Sequence, residues 1–144
     1  MERLEEIVVK VGDDLPTVLR KLVDAKATEL PVVDSDFRVV GVIGLPEIVD
    51  VTMPLKEMGI VREFATLLDV EIDPLLNTLV RAIDLANDEY DVIGEDWTLS
   101  EVLAVYRPGR IVVVVDERGR LKDFLTAYKI ASLLLKEIEI GMNA

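Results

Sequence analysis

The chain has no cysteine, no histidine and no glutamine among its 144 residues. Without thiols and imidazoles, it cannot form disulfides, thiol nucleophiles, thiolate zinc sites or imidazole acid–base pairs. An oxygen-ligand metal site is the kind that remains, but no calcium-loop spacing is present and the carboxylates scatter over predicted surfaces. Positive charge is also scarce, with 16 Lys and Arg against 28 Asp and Glu and a formal net charge of −12. A nucleic-acid binder needs a positive field to displace counterions from phosphates. The sign here argues against DNA and RNA, and equally against an anionic membrane surface. No apolar run approaches the roughly 18 residues that mark a membrane span. The charged start, Met1-Glu-Arg-Leu-Glu-Glu, is not a signal peptide, so a cytoplasmic location is expected. Abundant charge without glutamine is a balance found in proteins from hot environments, which suggests a thermophile.

What is present is a core and a repeat. Hydrophobic residues make up 51% of the chain. A half of about 60 residues would bury too little surface to be secure alone, whereas two halves sharing an interface would be safer. The first copy reads Asp13-Asp-Leu-Pro-Thr-Val-Leu, then Leu30-Pro-Val-Val-Asp34, then Arg38-Val-Val-Gly-Val-Ile-Gly-Leu-Pro-Glu-Ile48. The second reads Glu95-Asp-Trp-Thr-Leu-Ser-Glu-Val-Leu, then Ile111-Val-Val-Val-Val-Asp116, then Arg120-Leu-Lys-Asp-Phe-Leu-Thr-Ala-Tyr-Lys-Ile130. Leu15, Val18, Leu19 and Leu22 align with Leu99, Val102, Leu103 and Tyr106 at one constant offset. Asp34, Arg38, Val42, Ile43 and Ile48 align with Asp116, Arg120, Phe124, Leu125 and Ile130 at an offset two residues smaller. The second copy is therefore two residues shorter near Pro108-Gly109, where its first helix ends.

Each copy changes its hydrophobic period in the same order. Ile7 to Val11 is a β-branched run. Leu15, Val18, Leu19 and Leu22 follow helical spacing, with Asp13 or Asp14 as N-cap and Pro16 in the first turn. Leu30 to Val33 predicts a buried strand, Ser35-Asp36 a turn, Val39 to Ile43 a returning strand, and Leu45 onward a helix. The second copy repeats this around the turn Asp116-Glu-Arg-Gly119. The predicted fold is α/β (α+β): two β-α-β-β-α repeats packed on each other with pseudo-twofold symmetry, because one copy alone leaves apolar surface uncovered. The expected organisation is a first repeat at 1–52, a helical connector at 53–90 and a second repeat at 91–144. In the connector, Val61, Phe64, Ala65 and Leu68, then Leu76, Leu79, Val80, Ile83 and Ala86, predict two helices, the second opened by Asp73-Pro74. They either cover the core or contact a partner.

These stretches resemble the signature of cystathionine-β-synthase-type (CBS) domains: apolar-Pro-Val-Val-Asp, a turn, then Gly, two apolar residues, Thr or Ser, two variable residues and Asp. The first copy carries the likeness more closely than the second. The resemblance implies a tandem pair, or Bateman module, that forms a homodimer and binds adenosine-containing ligands such as AMP, ADP, ATP or S-adenosylmethionine between its copies. It implies a regulatory role toward a partner protein not identified by the sequence, with no cofactor required. In that pattern the hydroxyl lies where a helix N-terminus favours phosphate, and the Asp accepts from a ribose diol. Here Gly44 stands for the first hydroxyl and Glu47 for the first Asp. In the second copy Thr126 keeps the hydroxyl, Lys129 replaces the Asp, and Asp123 replaces the Gly.

The expected ligand-binding residues are Glu47, Arg110, Thr126 and Lys129. Thr126 would serve equally as a helix N-cap, Lys129 as an exposed helix charge and Arg110 as a surface turn residue. Two non-enzymatic functions compete: a nucleotide-sensing module, and a ligand-free dimerisation or scaffold module that regulates a partner by contact. The second draws on the last helix, where Ile130, Leu133, Leu134 and Ile138 are apolar over more than one face. An enzyme is not expected, since no spacing suggests a paired acid and base or a glycine-rich phosphate loop.

Overall fold

A computed structural model describes residues 3–50 and 81–142 of the chain. Local chemistry accounts for each boundary. The helix α2 (Leu15–Ala25) starts where the Asp14 carboxylate accepts the Thr17 N–H at 3.0 Å, carries Pro16 in its first turn, and stops at Lys26, whose φ of 51° is left-handed. Its buried residues are Leu15, Val18 and Leu22, part of the stripe expected from spacing. Asp13, the other N-cap candidate, instead accepts from Lys21 Nζ at 2.7 Å and from the Lys10 N–H. A short helix α1 (Leu4–Ile7), not anticipated from the sequence, precedes strand β1 (Val9–Lys10). The strand is thus shorter than the apolar run from Ile7 to Val11. Strands β2 (Glu29–Val33) and β3 (Val39–Gly44) follow, and then helix α3 (residues 45–50).

The second copy has the same order: β4 (Asp91–Gly94), α5 (Leu99–Val105), β5 (Val112–Val115), β6 (Leu121–Leu125) and α6 (Ala127–Met142). Thr98 caps α5 by accepting the Glu101 N–H. This helix is four residues shorter than α2, because Pro108 pushes the chain before it out of helical conformation and Tyr106 is already extended. Between the copies lies α4 (Ala82–Leu85). The connector residues Val61, Phe64, Ala65, Leu68, Asp73, Pro74, Leu76, Leu79 and Val80 lie outside the described residues. For the part described, Ile83 lies in the helix α4 and Ala86 is its extended C-cap. Arg81 is extended, its N–H donates to Asp84, and α4 starts at Ala82, whose N–H donates to the Asp13 carbonyl.

The two sheets are equivalent. In each, the first strand pairs parallel with the central one, the third pairs antiparallel, and the ladder shifts register at the same place, Val32/Val33 and Val114/Val115. The hairpin turns match bond for bond. Asp34 Oδ1 accepts the N–H of Asp36 and Arg38, and Asp116 Oδ1 accepts the N–H of Arg118 and Arg120. Both turns need a left-handed residue, filled by Phe37 (φ 63°) in one and Gly119 (φ 78°) in the other. The turns also meet: Arg38 and Arg120 form an antiparallel bridge on the pseudo-twofold axis, flanked by Val39 N–H to Gly119 O and Leu121 N–H to Phe37 O.

Why the strands read as unbroken apolar runs follows from the packing. Val112, Val114 and Leu125 join Val102 and Ile130 in a core private to the second copy. Val113, Leu121 and Phe124 point the other way, into a larger core with Leu30, Val32, Val42 and Ile43 of the first copy. The central strand β5 is therefore buried on both faces and loses its period-2 alternation, whereas the edge strand β4 keeps it, with Val92 exposed and Ile93 buried. The motif glycine Gly41 also has a steric reason. A Cβ there would sit 2.8 Å from the Asn87 carbonyl oxygen, because Asn87 pairs with Val42 along the free edge of β3.

Candidate functional site

The heads of the two central strands meet between the copies. Glu29, at the start of β2, accepts the Ile111 N–H of the other copy at 3.2 Å. Around this contact lies a cleft of about 170 Å³, lined by Thr28, Glu29, Gly109, Arg110, Thr126 and Tyr128 among others. Arg110 and Thr126, both expected from sequence, share it. Arg110 Nη2 pairs with Glu89 Oε2 at 3.1 Å, a contact with its arginine one-third exposed and its carboxylate mostly exposed.

The two repeats treat their helix starts differently. At the head of α3, the Leu45 N–H donates to the Thr28 carbonyl at 2.9 Å and the Gly44 N–H donates to Glu47 Oε2 at 3.1 Å. The Glu47 side chain also accepts from Asn87 Nδ2. That anion seat is closed by the chain itself. At the head of α6, Thr126 Oγ1 accepts the Lys129 N–H at 3.2 Å, the N-cap arrangement. The N–H groups of Ala127 and Tyr128 lie in the first turn, where a helix provides no acceptor. Both residues line the cleft, and the second copy forms no equivalent of the Leu45–Thr28 bond. The first two residues of α6, a threonine and an arginine thus line one opening.

Lys129 lies beyond this lining. Its Nζ donates to Asp123 Oδ1 at 2.9 Å and to the Phe124 carbonyl, and sits 5.6 Å from the Phe124 ring centre. Glu47 stands on the first-copy side, close enough to Glu29 to matter electrostatically. Burial first, then the charges of Glu47 and Glu89, raise the Glu29 carboxyl above its ordinary value, while the Ile111 N–H and Arg110 oppose the rise.

Glu29, Asn87 and Glu89 were not among the residues expected from sequence. Glu29 had a signal, because Thr28-Glu29 occupies the repeat position of Arg110-Ile111. Asn87 and Glu89 sit in the expected connector, outside the stretches in which the repeat was read. Among the described residues no cluster of carboxylates could hold a metal ion, and no helix is long and apolar enough to cross a membrane.

The sequence model of the CBS domain matches residues 2–54 and again 80–136. No curated protein matches the chain. Solved structures do. CBSX2 from Arabidopsis thaliana is 22% identical with a TM-score of 0.68, over 92% of this chain and 87% of that one. CBSX2 in complex with AMP is 23% identical with a TM-score of 0.62, over 90% and 87%. CbpB of Listeria monocytogenes, in complex with c-di-AMP, is 19% identical with a TM-score of 0.67, over 97% and 95%. Two matched segments, two equivalent sheets and one shared core make the chain a member of the CBS domain family, carrying two copies of the domain in tandem.

Proposed function

We propose that this CBS pair is a regulatory module, not an enzyme, and that it binds an adenosine nucleotide with the phosphate in the cleft at the head of α6. The observation that carries the reading is the open helix start: unpaired N–H groups at Ala127 and Tyr128, with Arg110 in the same cleft lining. Helix N-termini favour anions through these donors and the helix dipole. AMP in CBSX2 and c-di-AMP in CbpB support the ligand class. Small-molecule pockets run from about 300 to 1,000 Å³. A cleft of about 170 Å³ therefore encloses the phosphate and adjoining ribose and leaves the rest of the nucleotide outside it. Lys129, one turn on, adds charge only when it leaves Asp123, so its contribution is smaller than that of Arg110. Glu47 offers a ribose acceptor on the first-copy side, at the cost of its bonds to Gly44 and Asn87.

A thermal-shift series with AMP, ADP, ATP, S-adenosylmethionine and c-di-AMP tests this, since a ligand of the native state raises Tm by mass action. The expected result is a shift with at least one nucleotide that is lost in Arg110→Gln. No shift with any of them at millimolar concentration would leave the second reading, a ligand-free scaffold. A specific observation favours assembly in either case. Of α6 only Ile130 is buried, while Leu134, Leu135, Ile138 and Ile140 are exposed. This face is assigned to a homodimer contact, and the partner protein that the module regulates would read the dimer.

A further inference from the structure

A second concentration of positive charge lies at the other end of the hairpins, about 15 Å from the cleft at ~3.3 Å per strand residue. A hollow of about 560 Å³ opens there between the two turns, with Arg38, Arg118, Arg120 and Lys122 in its lining against Glu5 and Asp36. Positive groups outnumber negative ones two to one, in a chain whose net charge is −12. Arg120 is bonded to Asp116 at 3.2 Å and Lys122 lies 3.9 Å from Glu95, but Arg38 and Arg118 have no ion pair among the described residues. The bridge between the turns sharpens the point. Its flanking bonds make Arg38 and Arg120 a non-hydrogen-bonded pair, the kind whose Cα atoms stand about 4.5 Å apart with side chains closest. Like charges placed directly opposite are destabilising. The fold thus places two arginines directly opposite each other at its pseudo-twofold axis, where one multivalent anion would offset both charges. Guanidinium forks match phosphate oxygens in pairs.

We propose that this hollow is a separate binding site for a small molecule carrying a polyphosphate chain. Its volume falls in the range of ligand pockets, and two arginines without an ion pair, joined by Arg120 and Lys122 when these leave Asp116 and Glu95, suit several phosphate groups better than one. Because it is remote from Arg110 and the start of α6, it goes beyond the nucleotide reading and does not depend on it.

Calorimetry with inorganic tripolyphosphate at low salt tests the proposal. The native protein should bind it, and Arg38→Gln/Arg120→Gln should weaken binding about tenfold or more, as expected from losing charge-assisted hydrogen bonds. Arg110→Gln should leave it unchanged. A second variant, Arg118→Gln/Lys122→Gln, leaves the bridge intact and should also weaken binding, so a folding defect in the first would not decide the matter. Tripolyphosphate should raise Tm more than sodium chloride of equal ionic strength. Without ligand, Arg38→Gln should melt no lower than the native protein. No heat and no thermal shift at millimolar tripolyphosphate, or full binding by both double variants, would overturn the assignment. AMP binding followed in the same variants should track Arg110 and not Arg38, so the two sites stand or fall separately.

Discussion

Glu89 and a ligand phosphate would compete for Arg110, and replacing Glu89 with Gln measures that competition. In the free protein the pair is 3.1 Å apart, with 32% of the arginine side chain and 69% of the carboxylate side chain exposed. Exposed pairs of this kind are worth about 0–1 kcal/mol. Freeing Arg110 should therefore tighten nucleotide binding by up to about fivefold at ~1.4 kcal/mol per decade. Arg110→Gln removes a charge-assisted bond of about 1.5–3 kcal/mol and should weaken binding about ten- to a hundredfold. The two changes form a double-mutant cycle. In the Arg110→Gln background, Glu89→Gln should retain only the relief of direct carboxylate–phosphate repulsion. Calorimetry with the nucleotide that gives the largest thermal shift reads all four corners, first at low salt and then at high salt, where screening should shrink the Glu89 effect. The reasoning fails if Glu89→Gln weakens binding, or if its effect is the same with and without Arg110. Either result would make Glu89 a ligand contact or a bystander rather than a competitor.

Three further outcomes are expected. Gly41→Ala drives a methyl into the Asn87 carbonyl at 2.8 Å; at about 1–3 kcal/mol for overpacking and ~2–4 °C per kcal/mol, differential scanning calorimetry should show a clear fall in Tm, and an unchanged Tm would refute the close approach. Glu29→Gln keeps an acceptor for the Ile111 N–H and removes a charge that burial disfavours. The raised carboxyl binds its proton more tightly folded than unfolded, so its cost is absent below the ordinary value of 4.5 and sets in as pH rises through the raised one. The variant should therefore melt higher than the native protein at pH 7 and equal to it in acid, and a pH-independent difference would contradict this. Leu134→Glu should weaken the homodimer about five- to fortyfold, from the 37% of each leucine still exposed, taken over both copies at roughly 1.5–3 kcal/mol per fully buried leucine, as read by light scattering over a dilution series; a dimer that survives unchanged would place the contact elsewhere.

The repeat was legible in the sequence because its determinants are local. Asp34 and Asp116 fold their turns with bonds that span at most four residues. Asp14, Thr98 and Thr126 cap helices by accepting an N–H three residues on. Residue type and spacing are enough to specify such contacts, and they recur wherever the pattern recurs. The apolar runs at Leu30 and Val112 likewise announced strands buried on both sides. Half of the candidate site was legible too, since Arg110 and Thr126 lie at strand and helix starts that the repeat marks out.

What only the tertiary structure decided depends on residues far apart in the chain. Asn87 occupies the free edge of β3 and binds Glu47, so Glu47 is engaged before any ribose arrives. Thr28 closes the head of α3, while nothing equivalent closes the head of α6, an asymmetry set by where the chain before each helix lies. Glu29 becomes a shared acceptor, and Arg110 a tethered one, only when the copies dock. The two opposed arginines exist as a pair only across the pseudo-twofold axis. Spacing along a chain specifies which groups share a turn or a face. Which carboxylate reaches which donor between docked units depends on their relative placement, set by the shared apolar core of Leu30, Val42, Val113 and Phe124 rather than by the polar residues themselves.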